Sequence, residues 1–153
     1  MGDDFTTSMS LPFDDDGFLR RECPTCEEEF KVFVQQGDSD QSDAQSPQLG
    51  GYFCPYCAIQ AEPDGWFTKA QIAKARSLLI DEFVGPELEA FKRRMSGHPG
   101  VSVEVEVNRQ PTPDLTEADD MRRVDVACHP ETPVKVLESY AGTVHCFICG
   151  APA

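Results

Sequence analysis

The sequence lacks any apolar run long enough to cross a membrane, and it lacks the basic, apolar start of a secretion signal. A membrane-spanning helix needs about 18 apolar residues in succession, whereas the first part of this 153-residue chain carries Asp3, Asp4 and Asp14–Asp16. Seven cysteines without a secretion signal favour metal ligation in a reducing compartment over disulfides. We therefore expect a cytoplasmic protein without membrane association.

Basic residues are scarce. The chain has 13 Lys and Arg against 27 Asp and Glu, a formal net charge of −14. Such a surface repels phosphate backbones and favours basic partners. We therefore expect the partner to be another protein rather than a nucleic acid. Two short basic runs, Lys92-Arg93-Arg94 and Arg122-Arg123, keep a nucleic-acid-associated factor of transcription or RNA processing open as the alternative.

Catalytic motifs are also missing. The sequence has no Gly-rich phosphate loop, no His-Glu-x-x-His zinc helix and no nucleophile elbow. We therefore expect no enzyme activity. Apolar content is 40%, diluted by 12 Pro and 11 Gly, which indicates a modest core stapled by metal rather than one large apolar core.

What the chain does have is cysteine in pairs. Cys23-Pro24-Thr25-Cys26 and Cys54-Pro55-Tyr56-Cys57 each place two thiols three residues apart. Two such pairs can surround one centre with the four sulfur ligands that zinc prefers in a closed, tetrahedral site. The spacing predicts a first zinc site with the ligands Cys23, Cys26, Cys54 and Cys57.

A second site is predicted from a third pair, Cys146-Phe147-Ile148-Cys149, together with Cys128-His129. Three cysteines leave one ligand to be found, and both His129 and His145 are candidates. We favour His129 because Pro130 can turn the chain so that adjacent Cys and His side chains converge. His145 directly precedes Cys146 in an expected strand, where neighbouring side chains point to opposite faces. The predicted second set is Cys128, His129, Cys146 and Cys149, giving two zinc ions per chain.

The three cysteine turns resemble the knuckles of zinc-ribbon and rubredoxin-like proteins, which usually run Cys-Pro-x-Cys-Gly. Gly150 keeps the final Gly, whereas Glu27 and Ala58 replace it in the other two turns. The resemblance implies zinc ribbons, with iron as the alternative metal at the first site. The general layout also looks like uncharacterised bacterial two-ribbon proteins, which implies no activity.

A redox function is a further alternative, because Cys54-Pro55-Tyr56-Cys57 equals the motif of glutaredoxins. A reactive cysteine of that kind needs a helix N-terminus to lower its pKa. Pro63-Asp64-Gly65 would end any helix starting at Pro55 after about two turns. The partner pair at Cys23 and Cys26 explains the motif more simply as half of a metal site.

Periodicity predicts the remaining elements. Two short strands flank the first knuckle within 18–34, and a hairpin surrounds the second within 52–59. A capping box at Thr68 predicts a helix start, and Gly85-Pro86 is expected to break the helix before a second one. Further strands are predicted at Val101–Val107, at Val124–Cys128 and at 133–137.

These elements predict an α+β fold, a small zinc-stapled protein with two zinc-ribbon-like β modules and a helical segment between them. The expected parts are a disordered acidic arm at 1–17, a first zinc ribbon at 18–66 with a flexible insertion at 35–51, a helical segment at 67–97, and a β-rich second module at 101–153. The function expected is that of a non-catalytic zinc-binding interaction module or adaptor.

Overall fold

The computed structural model describes residues 9–34, 51–100, 102–104, 106 and 111–153. Their elements are β1 (Phe18–Glu22), β2 (Glu29–Phe33), β3 (Tyr52–Phe53), β4 (Gln60–Ala61), α1 (Lys69–Leu79), a π-helical turn (Ile80–Val84), α2 (Gly85–Met95), β5 (Met121–Val124) and β6 (Val134–Leu137). The fold is α+β, as predicted. Two compact units divide the described residues, one formed by those within 11–69 and 116–153, the other by those within 9–10 and 70–115.

The first unit is built on a four-stranded antiparallel sheet in the order β1-β2-β6-β5. Val32 of β2 lies between Leu19 of β1 and Val134 of β6. These three side chains share one face and are buried with Phe30 and Trp66 in the core. The separate hairpin β3–β4 carries the second cysteine pair.

The sheet joins strands from both predicted ribbon modules, so those modules do not have separate sheets. β2 comes from the expected first ribbon, and β6 from the expected second module. A two-stranded hairpin of β1 and β2 would leave the inner edge of β2 unpaired, and β6 supplies the missing hydrogen-bond partners. The sequence around the cysteines gives no sign of this long-range pairing.

The acidic arm predicted at 1–17 is wrong for residues 11–17. Asp14 is 9% exposed, and its Oδ2 accepts hydrogen bonds from Lys135 Nζ at 2.8 Å and from Lys31 Nζ at 3.3 Å. Its Oδ1 accepts from the backbone N–H of Phe18 at 2.9 Å. Asp14 therefore ties this segment to the polar face of the sheet. Residues 1–8 of the predicted arm lie outside the described residues.

That polar face carries a row of cations. The strand register places Arg20 beside Lys31 and Lys31 beside Lys135, and Lys31 and Lys135 are 0% and 3% exposed. Buried cations need opposite charges close by. Asp14 meets both lysines, and Asp120 contacts Arg20 Nη2 at 2.8 Å. Some of the acidic side chains that give the sequence its negative charge therefore pair with cations within the fold.

The helical region runs without the break predicted at Gly85-Pro86. Gly85 has right-handed helical angles, and its N–H donates to the carbonyl of Ile80, five residues earlier. This wider π turn precedes Pro86, which cannot donate a backbone hydrogen bond and takes one of the first positions of α2. The second helical segment expected after Gly85-Pro86 is present as α2, but it begins at Gly85 and continues directly from the π turn. None of the described helices is both long enough and apolar enough to cross a membrane.

Two strand predictions differ from the structure. Of the segment predicted as a strand at Val101–Val107, residues 102–104 and 106 are described and none of these lies in a strand. β5 ends at Val124, where the predicted strand began, because β6 pairs with Met121–Val124 only. Alternation alone does not make a strand when no neighbouring strand supplies hydrogen bonds. The predicted insertion at 35–51 lies outside the described residues except for Gly51.

Candidate metal centres

Three turns with the same backbone hydrogen bonds present the paired cysteines. In each turn the first cysteine's carbonyl accepts from the N–H four residues later, and its own N–H donates to the carbonyl five residues later. The first bond measures 3.0, 2.9 and 2.8 Å at Cys23, Cys54 and Cys146, and the second 3.1, 3.1 and 2.8 Å. All the residues that form a turn lie within six positions of one another, so short sequence motifs suffice to build it.

The fourth residue after the first cysteine is left-handed in every turn. The φ angle is 59° at Glu27, 59° at Ala58 and 74° at Gly150. Only glycine adopts this region without a steric cost, which is on the order of 1–2 kcal/mol for other residues. The two turns that lack the usual glycine therefore keep the knuckle geometry and carry the strain.

Backbone amides in these turns point at sulfur. The N–H groups of Thr25 and Cys26 donate to Cys23 Sγ at 3.3 and 3.4 Å, and Tyr56 N–H donates to Cys54 Sγ at 3.3 Å. Burial disfavours the Cys23 thiolate, but the two amides and the neighbouring thiols outweigh it and lower the pKa of Cys23. The turn thus stabilises the thiolate of Cys23, which is the form of cysteine that binds a metal.

The first cluster brings together the four predicted sulfurs, Cys23, Cys26, Cys54 and Cys57. Cys23 Sγ lies 3.8 Å from Cys57 Sγ, and Cys26 Sγ lies 3.7 Å from Cys54 Sγ. Four sulfurs about 2.3 Å from a tetrahedral zinc would be about 3.8 Å apart. A disulfide would need a sulfur separation of about 2.05 Å. The arrangement therefore fits a four-coordinate metal rather than a disulfide.

Without a cation, this cluster resists full ionisation. Burial raises the pKa of Cys26 to about 11, and the Cys23 thiol adds to the rise. Burial also raises the pKa of Cys54 strongly, again with a contribution from Cys23. Four thiolates at these distances repel one another, and a divalent metal ion is the counter-charge that would hold them together.

The second cluster brings together Cys128, His129, Cys146 and Cys149. Cys149 Sγ lies 3.4 Å from Cys128 Sγ, and Cys146 Sγ lies 3.4 Å from Nδ1 of His129. A sulfur and a nitrogen bound to one tetrahedral zinc would be about 3.6 Å apart. Three sulfurs and one imidazole make a donor set that zinc commonly uses in structural sites.

His145, the other histidine considered for this site, is turned elsewhere. Its ring Nδ1 lies 3.3 Å from the carbonyl oxygen of Pro55, which also accepts the backbone N–H of His145 at 2.8 Å. His145 is not among the residues grouped around the second cluster. The structure therefore places His129, rather than His145, beside the three cysteines, and metal ligation by His129 remains a prediction.

The third knuckle is packed into the same core as the first two. Phe147 stacks on Tyr52 with ring centroids 4.3 Å apart, and it meets the rings of Phe30 and Trp66 at 5.7 and 5.4 Å. The carbonyl of Phe147 accepts the backbone N–H of Phe53 at 2.8 Å. The aromatic packing thereby fixes where Cys146 and Cys149 stand relative to the rest of the unit.

One acidic group was missed by the sequence analysis. Carboxylates of Asp14, Asp16 and Asp119 converge closely enough to hold a cation. The ammonium of Lys135 meets these three carboxylates at 2.8, 2.7 and 3.6 Å. Lys135 is therefore the cation of this group. The acids are too distant in sequence for any spacing motif to reveal them.

Comparison of the chain with protein families, with curated proteins and with solved structures found no match. The metal assignment thus depends on the donor sets and their geometry. Both cysteine-rich clusters fit zinc-ribbon-like sites.

Proposed function

We propose that this chain is a non-catalytic zinc-binding protein that serves as a protein-interaction module. Each cluster supplies four protein donors, which fill the tetrahedral coordination of zinc and leave no position for water or substrate. The sulfur and imidazole donors favour zinc at the second cluster, and four sulfurs accept zinc or iron at the first. Metal at both sites would hold in place a unit whose apolar core is small.

The observation that carries the interaction function is a row of exposed apolar side chains in the helical unit. Ile72, Leu79, Val84 and Phe91 are 46%, 43%, 44% and 44% exposed. Large apolar side chains that share one exposed face are typical of a docking surface, whereas singly scattered ones are not. We call these four residues the helix row.

The π turn brings the helix row into line. Ile72 and Leu79 are seven positions apart, which is close to two α-helical turns. Ile72 and Phe91 are 19 positions apart, and the π turn between them absorbs about one residue. The remaining 18 positions make five turns of about 3.6 residues, so Phe91 returns to the side of Ile72. In an uninterrupted α-helix Phe91 would be rotated away by about 100°.

The partner that fits this row is an amphipathic helix of another protein. The row is narrow and extends over about 28 Å at the α-helical rise of about 1.5 Å per residue. A straight, narrow apolar row is covered by a second helix carrying its own apolar stripe. The last turns of α1 and α2 carry basic residues, among them Arg76 in α1 and Arg94 in α2, so acidic flanks on the partner helix would add to its affinity.

The charge pairing weighs against the nucleic-acid alternative. Arg123 Nε bonds Asp125 at 2.8 Å, Arg122 Nη2 donates to the carbonyl of Tyr140 at 2.9 Å, and Lys92 Nζ meets Glu89 at 3.3 Å. Basic side chains already engaged in this way neutralise few phosphates.

Site-specific photo-crosslinking in the native cell tests the proposal. A benzoylphenylalanine replaces Phe91 in the helix row, and in a matched chain it replaces Glu89, about 160° away around α2. We expect a defined protein to be crosslinked from position 91, to be absent from position 89, and to be lost when Leu79→Asp is added. Circular dichroism checks that the Leu79→Asp chain keeps its helices.

Equal crosslinking from both positions, or crosslinking that survives Leu79→Asp, would overturn the helix row as a docking surface. A crosslink to a second copy of the chain would replace the partner with self-association. A crosslink to RNA or DNA would transfer the assignment to the nucleic-acid alternative.

A further inference from the structure

A cavity of about 350 Å³ opens beside the first cysteine cluster, within the unit that holds the sheet. Its wall includes Cys26 and Cys57, the two partly buried sulfurs of that cluster, with Leu137 at the end of β6. The volume lies near the lower end of the range of about 300–1,000 Å³ for small-molecule pockets. It suits one side chain of a partner rather than a large cofactor.

Two tyrosine rings form a corner of this cavity. The rings of Tyr56 and Tyr140 meet at 83° with centroids 4.8 Å apart. Hydrogen bonds hold both rings, because Tyr56 Oη donates to the carbonyl of Glu29 at 2.7 Å and accepts the N–H of Leu137 at 3.0 Å. Tyr140 Oη donates to the carbonyl of Thr143 at 3.1 Å. The corner is therefore rigid before any ligand arrives, which lowers the entropic cost of binding.

Two groups in the cavity wall favour a positive charge. Glu28 contributes an exposed carboxylate, and a four-thiolate site that holds Zn²⁺ keeps a net charge of about −2. Tyrosine ring faces also attract cations. The lining residues, all in the described part of the chain, include no Lys, Arg or His. Nothing in the wall opposes a positive charge.

We infer that this cavity binds the cationic side chain of a lysine or arginine from a partner polypeptide. The alkyl stem would lie against Leu137 and the tyrosine corner, and the charged end would face Glu28 and the sulfurs of Cys26 and Cys57. This inference rests on the proposed zinc-loaded interaction module, since the bound metal fixes the two sulfurs and their charge. It adds a contact site in the unit that lacks the helix row, and it defines the chemistry that site selects.

The test is a titration of the full-length, zinc-loaded chain followed by two-dimensional NMR. The probes are capped lysine amide, capped arginine amide and capped norleucine amide, which keeps the stem without the charge. We expect saturable shifts of the Tyr56, Leu137 and Tyr140 signals with a Kd of about 1 mM for the two cationic probes. Norleucine amide should shift them little, and added salt should weaken the cationic probes.

Glu28→Gln and Glu62→Gln form a matched pair of variants. Both residues are exposed, and Glu62 lies outside the cavity wall. Glu28→Gln should weaken lysine binding about 2- to 5-fold, whereas Glu62→Gln should leave it unchanged. Tyr140→Leu should weaken binding as well, and the spectrum itself reports whether that variant is folded.

Three results would each overturn the inference. The first is that norleucine amide binds as tightly as lysine amide, and the second is that both glutamate variants weaken lysine binding equally. The third is that no saturable shift occurs up to about 20 mM, some twentyfold above the expected Kd. Leu79→Asp in the helix row should leave lysine binding intact. If the chain binds lysine amide but position 91 crosslinks no protein that Leu79→Asp removes, only the docking proposal is refuted. If such a protein is crosslinked but lysine amide does not bind, only the cavity inference is refuted. Zinc content, measured first, decides the metal assignment separately.

Discussion

The two cysteine clusters use similar donors in different surroundings. In the first, Cys23 and Cys54 are 1% and 0% exposed, and both belong to the core that includes Trp66 and Phe30. In the second, only Cys146 is buried, while Cys128 and Cys149 are exposed. Donor type alone therefore does not set the role of a metal site. The packing around the donors decides how much of the fold depends on the metal.

The turns that present the ligands also differ between the two clusters. Two knuckles face each other in the first cluster, whereas the second combines one knuckle with Cys128-His129, where the carbonyl of His129 accepts the N–H of Thr132 at 3.0 Å. A turn of this kind gives less control over its donors than a knuckle with amides aimed at sulfur. We therefore expect the first site to support the fold and the second to exchange metal more readily.

Replacing one ligand at each site should give the largest difference. Cys54→Ser is expected to abolish cooperative unfolding of the sheet unit, because structural zinc contributes about 10–16 kcal/mol against a total domain stability of about 5–15 kcal/mol. Cys149→Ser should keep the transition and lower its midpoint by several degrees. Calorimetry with parallel zinc analysis measures both. A greater loss of structure with Cys149→Ser would reverse the comparison.

A chelator should release the two metals at different rates. We expect two kinetic phases with a colorimetric zinc chelator, the faster one from the second cluster, because Cys128 and Cys149 are exposed to attack. Cys149→Ser should remove the fast phase and leave the slow one. A single phase that accounts for both ions would show that the sites exchange as one unit.

The two histidines near the second cluster should differ in their effect on metal content. His129→Ala should lower zinc from about two ions per chain towards one, because zinc loses one of four donors. His145→Ala removes only a contact with the Pro55 carbonyl and should cost about 1 kcal/mol without loss of metal. Elemental analysis after dialysis against a weak chelator distinguishes them. Zinc loss with His145→Ala alone would assign the ligand role to His145.

Substitutions that leave every metal ligand in place test the left-handed residue of each knuckle. Ala58→Gly should stabilise the sheet unit by about 0.5–1 kcal/mol, because glycine adopts a φ of 59° without steric cost. Gly150→Ala should destabilise it by about 2 kcal/mol, since the added Cβ would lie 2.7 Å from the Phe53 ring as well as in the left-handed region. Thermal denaturation measures both. A destabilising Ala58→Gly would show that the turn is not strained.

The sequence predicted the knuckles well because each is closed by hydrogen bonds within six residues. It predicted the grouping of Cys128 with Cys146 from ligand number, and the helices from their start signals. It did not reveal that β2 and β6 pair, because strand order depends on contacts about 100 residues apart. The burial of Asp14 between Lys31 and Lys135 depends on that pairing and was missed with it.

The cavity was missed for the same reason. Tyr56 and Tyr140 are 84 residues apart, and no short sequence motif indicates that their rings meet. Gly85-Pro86 was misjudged because the rule that proline ends a helix takes no account of a π turn in front of it. Local chemistry was thus readable from spacing, while surfaces assembled from distant segments were not.

The central place of β2 in the sheet has a consequence during protein synthesis. β2 ends at Phe33 and its partner β6 begins at Val134, 101 positions later. At roughly 5–20 residues per second, the ribosome leaves the edge of β2 open for about 5–20 s. An open apolar edge invites pairing with other nascent chains, and a charge in mid-strand discourages it. Lys31, which is fully buried in the folded protein, would protect that edge until β6 emerges.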